Sequence, residues 1–302
     1  MQISHLVRYV FTAALCLTAL AVGAKEVTQT YKGLTLNANL ELAAGKTLAD
    51  GVILITHGSL AHRDMEIIRY LRKLFRERGD NTLAINLSLG FDNRHGLYDC
   101  QTPHRHRNDD AAEEIAAWVD WLKGQGAQRV AVLGHSRGGA QTALYAAEHD
   151  DAVVKAVVLM APATAANTDA AGYARRFNKP LAPLLARAQR LVAAGKGDTL
   201  LEHSDFLFCA DTSVTAAAFV SYYGAGERVD SPALIARIGK PTLVVVAGSD
   251  EVVMGLDTLV APLADGKRVR MKVIDGAGHF FRDLYADDAV DAIDRFLQGA
   301  GD

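Results

Sequence analysis

Arg129-Val130-Ala131-Val132-Leu133-Gly134-His135-Ser136-Arg137-Gly138-Gly139 is the stretch on which the reading of this chain turns. Its first part is apolar and β-branched, as in a strand buried on both faces of a parallel sheet. A helical pattern follows from Gly138 to His149. Between them stands Gly-x-Ser-x-Gly, which places a serine on a tight strand-to-helix turn. The backbone there is strained, and side chains at positions 134 and 138 would crowd it. Such a turn lifts the Ser136 hydroxyl above the sheet. It also leaves that hydroxyl at a helix N-terminus, whose partial positive charge suits a developing anion. Three fixed residues of common type recur by chance, so the flanking strand and helix are what give the pattern its meaning.

Working outward, the sequence alternates strands and helices. Val27 to Leu40 reads as a hairpin about Lys32-Gly33. Strands are expected at Gly51 to Thr56, Asn81 to Leu89, Gln128 to Gly134, Val153 to Met160, Thr242 to Ala247 and Arg268 to Ile274. Helices are expected at Arg63 to Arg78, Asp109 to Lys123, Gly138 to His149 and Asp287 to Leu297. This order implies an α/β fold, a mainly parallel doubly wound sheet with helices on both faces. Residues from about 164 to 235 break the rhythm. They read as helical and loop-rich without a clear strand, an insertion over the carboxyl edge of the sheet where such sheets bind ligands.

The chain has 302 residues, 50% hydrophobic and 22% charged, enough for a sizeable core. A net charge of -3 and the lack of a basic tract argue against a nucleic-acid partner. Arg8, the apolar run from Tyr9 to Val22, and the small residues of Val22-Gly23-Ala24 read as a secretory signal peptide over 1–24, cut before Lys25. The run is short for a membrane anchor, which needs roughly 20 apolar residues. An exported, periplasmic or secreted protein with no stable membrane insertion is therefore expected. Cys16 leaves with the leader. Cys100 and Cys209 remain, compatible with one disulfide or with two unrelated thiols.

Gly134-His135-Ser136-Arg137-Gly138 resembles the nucleophile elbow of the α/β-hydrolase superfamily, and the element order resembles that fold over nearly all of residues 25–302. The resemblance implies a two-step acyl transfer on a carboxylic ester of a small molecule, with Ser136 as nucleophile and no cofactor. The same superfamily order, Ser then acid then His, points to His279 in the glycine-rich Asp275-Gly276-Ala277-Gly278-His279 as base. It points to Asp250, after the Thr242 to Ala247 strand, as the carboxylate that orients the base. Glu251, Asp275 and Asp283 are chemically able alternatives to Asp250. Ser59 and Ser249 are rival nucleophiles that lack the glycine spacing. The oxyanion hole is expected from the backbone N–H of Arg137 and of Ser59 or Leu60 in His57-Gly58-Ser59-Leu60. His57 itself is expected to be structural.

Arg94 and His135 are the candidate substrate-binding side chains, the first for a substrate carboxylate. The His104 to Arg107 cluster shares that reading, with a solvated surface loop as its alternative. A metal site is disfavoured because His104 and His106 lie two apart in an arginine-flanked stretch. If Cys100 and Cys209 pair, they clamp the insertion as a lid, and Phe206, Phe208, Phe219, Tyr222 and Tyr223 could line an acyl pocket or simply pack. Two other readings of function stay open. The bond could be a thioester, lactone or peptide, since one triad serves them all. Alternatively, the fold could be a non-catalytic binding protein, against which an intact triad argues.

Overall fold

Short runs such as Val52-Ile53-Leu54-Ile55-Thr56 and Thr242-Leu243-Val244-Val245-Val246-Ala247 carry apolar side chains on both faces, so a strand made of them must be covered on both sides. The computed structural model, which describes residues 24–300, shows how this is done. Residues 1–23 of the expected leader lie outside the described residues.

The chain opens with the hairpin β1 (Lys25–Tyr31) and β2 (Leu34–Glu41). There follow β3 (Val52–Thr56), α1 (Glu66–Glu77), β4 (Thr82–Asn86), α2 (Asn108–Gly124), β5 (Val130–His135), α3 (Arg137–Glu148) and β6 (Val154–Met160). The insertion contributes α4 (Ala170–Phe177), α5 (Ala182–Ala193), β7 (Leu200–Phe206), β8 (Cys209–Thr215), α6 (Ala216–Tyr223) and α7 (Ser231–Arg237). The chain closes with β9 (Thr242–Ala247), α8 (Leu256–Val260), β10 (Val269–Ile274) and α9 (Leu284–Gly299).

Among the described residues eight strands form one sheet in the order β1-β2-β4-β3-β5-β6-β9-β10. Its first two pairings, β1 with β2 and β2 with β4, are antiparallel, and the rest are parallel. The period of two along each strand splits the core into two layers. Val52, Leu54, Val132, Val157, Val244 and Val246 pack against Ile115, Trp118 and Leu144 of α2 and α3. Ile53, Ile55, Leu133, Val158, Leu243 and Val245 pack on the other face against Ile68, Phe75, Ile293 and Phe296 of α1 and α9. The expected doubly wound α/β architecture is therefore present, with the carboxyl ends of β3, β5, β9 and β10 opening on one edge. Among the described residues no helix is long and apolar enough to cross a membrane.

The insertion corrects one expectation. It is not free of strands, since β7 and β8 pair as an antiparallel hairpin. Two register shifts interrupt that pairing, and Leu207 at the turn takes a positive φ without being glycine or asparagine. Neither the period of two nor the usual turn residues mark it in the sequence. Contacts distant in sequence hold the hairpin instead. His104 bridges to Val214, with His104 N–H on the Ser213 carbonyl at 2.8 Å and Thr215 N–H on the His104 carbonyl at 2.9 Å. Cys100 and Cys209 form a disulfide, with Cα atoms 5.3 Å apart.

Candidate active site

Ser136 sits between β5 and α3 with φ 58° and ψ -126°, a strained conformation for a residue with a side chain. The two glycines of the turn are needed because the turn presses on the rest of the fold. A Cβ on Gly138 would overlap the carbonyl oxygen of His57 and lie 2.7 Å from that of Thr56. A Cβ on Gly134 would overlap the Gly138 carbonyl oxygen and the Thr142 hydroxyl. The strand, elbow and helix thus aim the Ser136 hydroxyl at the open edge of the sheet.

Two further loops meet it there. The loop after β10 turns through Gly276 at φ 76° and is tied to the loop after β9 by Ser249 N–H on the Ala277 carbonyl at 2.8 Å. This brings His279 Nε2 to 2.8 Å from Ser136 Oγ and His279 Nδ1 to 2.8 Å from Asp250 Oδ2. An ionised carboxylate only accepts hydrogen bonds. The imidazole proton therefore sits on Nδ1 and donates to Asp250, which leaves Nε2 free to accept from the serine hydroxyl. The other oxygen of Asp250 accepts from the N–H groups of Val252 at 2.7 Å and Val253 at 2.8 Å. Burial raises the affinity of this carboxyl for a proton. The hydrogen bonds from His279, Val253 and Val252 outweigh that effect and hold its pKa below the usual carboxylate value. Glu251, Asp275 and Asp283 are exposed, and none of them bonds to His279.

The loop after β3 closes over the serine from the other side. Gly58 lies so near that a Cβ there would be 3.2 Å from Ser136 Cβ. Of the two candidate amides, Ser59 borders the cavity at Ser136, whereas Leu60 packs into the core at φ 54°. The Arg137 amide is at the first position of α3, where no helical partner exists for an N–H. The Arg137 guanidinium points away, buried with its carbon 5.9 Å from the Tyr222 ring centre. His57 is structural, as expected. Its Nδ1–H donates to the Gly58 carbonyl at 2.9 Å and its Nε2 accepts from Leu87 N–H at 3.1 Å. Burial holds its pKa down at about 3.

His135 borders the same cavity, and its ring is already engaged. Its Nε2–H donates to the His279 carbonyl at 2.8 Å, and the two rings lie 4.9 Å apart. It therefore holds the His279 backbone in place as well as walling the cavity. Arg94 requires a correction. Its guanidinium is buried and spent on the carbonyls of Leu87, Gly96 and Ala61 and on the Asn86 side chain, so it cannot meet a substrate carboxylate. The His104 to Arg107 cluster divides: Arg105 and Arg107 are exposed, as in a solvated loop, whereas its two histidines are not. His104 and His106 are buried, packed among Tyr98, Phe206 and Tyr222, with pKa values lowered by burial to about 4 and about 3. They are neutral packing groups beneath the hairpin, neither solvated nor anion-binding.

The cavity at Ser136 has a volume of about 300 Å³. Besides the polar groups already named, its walls are apolar, from Met65, Ile67, Ile68, Val252, Phe208 and Phe280. Sequence reasoning offered Phe208 among several aromatics. It missed the others, which have no chemical signature and read as ordinary core. Phe206, Phe219, Tyr222 and Tyr223 are buried packing residues and do not reach the cavity. A concavity of about 350 Å³ at the opposite edge of the sheet, near Lys46, Asp80 and Arg129, contains none of the candidate catalytic groups.

A comparison with curated protein sequences returns no match. Solved structures resemble the chain at low identity. Est1E from Butyrivibrio proteoclasticus is 18% identical with a TM-score of 0.62, over 91% of this chain and 98% of that one. The alpha/beta hydrolase GrgF from Penicillium sp. sh18 is 19% identical with a TM-score of 0.65, over 92% and 98%. A monoacylglycerol lipase from Paleococcus ferrophilus is 18% identical with a TM-score of 0.60, over 88% and 99%. Residues 52–294 match the alpha/beta hydrolase family model, and the chain belongs to that family.

Proposed function

We propose that the protein is a serine hydrolase that cleaves a carboxylic ester of a small molecule through an acyl-enzyme. One observation carries the reading: a single imidazole, His279, lies 2.8 Å from both the Ser136 hydroxyl and the Asp250 carboxylate. A serine hydroxyl is a weak nucleophile until a base takes its proton, and His279 Nε2 is placed to do so. Ser136 Oγ attacks the ester carbonyl, and the imidazolium is stabilised by Asp250. The oxyanion rests on the amides of Arg137 and Ser59. His279 then gives its proton to the leaving alcohol. Water deprotonated by His279 attacks the acyl-enzyme, and Ser136 leaves with the proton returned to it. No step calls for a cofactor. The apolar walls beside Ser136 favour an ester with an apolar arm over a charged peptide. The Cys100–Cys209 disulfide supports an oxidising compartment, and with it export.

The test is labelling with a fluorophosphonate probe followed by peptide mapping, then turnover on ester, thioester and lactone panels. The reading requires modification at Ser136 that is lost in His279→Ala. A folded protein that is not labelled at Ser136 refutes it.

A further inference from the structure

Most of the cavity wall belongs to the machinery itself. Val252 and Phe280 lie in the loops that carry Asp250 and His279, and Ile67 and Ile68 are core residues of α1. Phe208 alone comes from the insertion, which supplies none of the candidate catalytic groups. It stands at the tip of the β7–β8 hairpin with 54% of its surface exposed. An exposed aromatic at a hairpin tip would normally swing freely, at little cost, between many rotamers. Here the tip is pinned from four directions. The Arg176 guanidinium lies 4.3 Å over the Phe208 ring, and the same group donates to the Leu207 carbonyl at 3.0 Å. The Leu207 N–H donates to the Tyr223 hydroxyl oxygen at 2.8 Å. The next residue, Cys209, is bonded to Cys100. Thr212 then donates to the Cys100 carbonyl at 2.6 Å, which fastens the strand beyond the tip.

We infer that Phe208 is the specificity-determining wall of the site, and that the disulfide and Arg176 hold it where it caps the length of the substrate's apolar arm. This rests on the assignment of Ser136 as nucleophile. The mechanism of selection is steric. A rigid ring across a cavity of about 300 Å³ excludes arms that overrun it, while shorter arms gain apolar contact with it. Since the ring is on the insertion, its removal enlarges the cavity without displacing His279, Asp250 or the elbow.

The experiment compares Phe208→Ala and Phe208→Trp with the native enzyme. One series of p-nitrophenyl esters runs from acetyl to decanoyl; a second series consists of acetate esters with alcohols of increasing length. Active-site titration counts the reactive serines, and selectivity is read as a ratio of kcat/KM values, so that any common loss cancels. Phe208→Ala should raise the long-to-short ratio about tenfold in one series, and Phe208→Trp should lower it. The responding series identifies the apolar arm as acyl or alcohol. Reduction of Cys100–Cys209 with dithiothreitol should shift the native profile in the direction of Phe208→Ala and leave that variant's profile where it is. Titratable enzyme with unchanged ratios in both series overturns the role of Phe208 and leaves Ser136 standing. A reduced native enzyme with an unshifted profile overturns the tether. Native protein whose Ser136 neither titrates nor turns over any ester overturns the nucleophile, and this inference with it.

Discussion

Lowering the pH from 7 to 5 should cost this protein about 5 kcal/mol of stability, because four of its histidines are buried as neutral rings. His57, His106 and His135 are held down to about 3 and His104 to about 4, in every case first by burial. In the unfolded chain each would titrate near 6.5, an ordinary value for the imidazole. The folded pKa is the lower of the two. The stability each ring contributes is therefore complete above about 6.5 and drains away as the pH falls towards the folded value. At pH 5 the unfolded form of each is favoured by about 2 kcal/mol, or about 8 kcal/mol for the four. Two carboxyls act in the opposite sense. Glu114, pushed up by burial to about 7, is relieved of its charge as the pH falls and returns about 2 kcal/mol. Asp80, raised by burial to about 6 but partly exposed, returns about 1. The net loss from these six groups is about 5 kcal/mol, against a usual domain stability of about 5–15. Urea unfolding followed by tryptophan fluorescence at pH 7, 6 and 5 measures it, since Trp118 is fully buried. His106→Gln, which can still bond to Tyr222 but takes no proton, should flatten the dependence by about 2 kcal/mol. Equal stability at pH 7 and pH 5, within about 1 kcal/mol, would refute the reasoning.

Other expectations are as specific. Ser136→Ala and His279→Ala should each lower kcat by about 10⁶, and Asp250→Asn by about 10⁴, with melting temperatures near native; a catalytic loss matched by a loss of fold would remove the distinction. Breaking Cys100–Cys209 frees a loop spanning 109 residues and should cost up to about 4.8 kcal/mol by chain entropy. That corresponds to about 8 °C in Tm by calorimetry, and a change under about 2 °C would show that the unfolded chain is compact without the bond. Gly138→Ala drives a methyl into the carbonyls of His57 and Thr56. It should cost about 3 kcal/mol or more in urea unfolding and abolish labelling of Ser136, whereas wild-type stability would show that the elbow relaxes.

What could be read from the sequence is what local sterics dictate. The strands of the parallel sheet were visible because burial on both faces demands continuous β-branched runs, and Thr242–Ala247 falls where those residues place it. The elbow was visible because only glycine fits where Gly134 and Gly138 meet backbone. The His279 and Asp250 loops were visible through the superfamily resemblance, whose order of nucleophile, acid and base falls on the loops after the last two strands. The β7–β8 hairpin was not, because its bulged register and non-glycine turn are stabilised by partners about 100 residues away, Cys100 and His104. Arg94 misled for a related reason. A charged side chain in a loop suggests a ligand, and nothing local shows that three carbonyls and an asparagine will enclose it.

The same division runs through the site. The parts proposed to carry the chemistry are set by short-range geometry: a strained serine, and loops that leave adjacent strands and bond to one another through Ser249 and Ala277. The parts that choose among substrates are set by long-range packing. Met65, Ile67 and Phe208 reach one cavity from a helix terminus and a tethered hairpin more than 130 residues apart. Apolar side chains look the same in a core as in a pocket, so a sequence can show a reaction type and remain silent on the substrate. That silence is physical, because the selectivity proposed here depends on where the hairpin tip is fastened, and the fastening is tertiary. Moving the tip while leaving the elbow untouched is therefore the way to separate the two, and it should change which ester is cleaved before it changes whether one is.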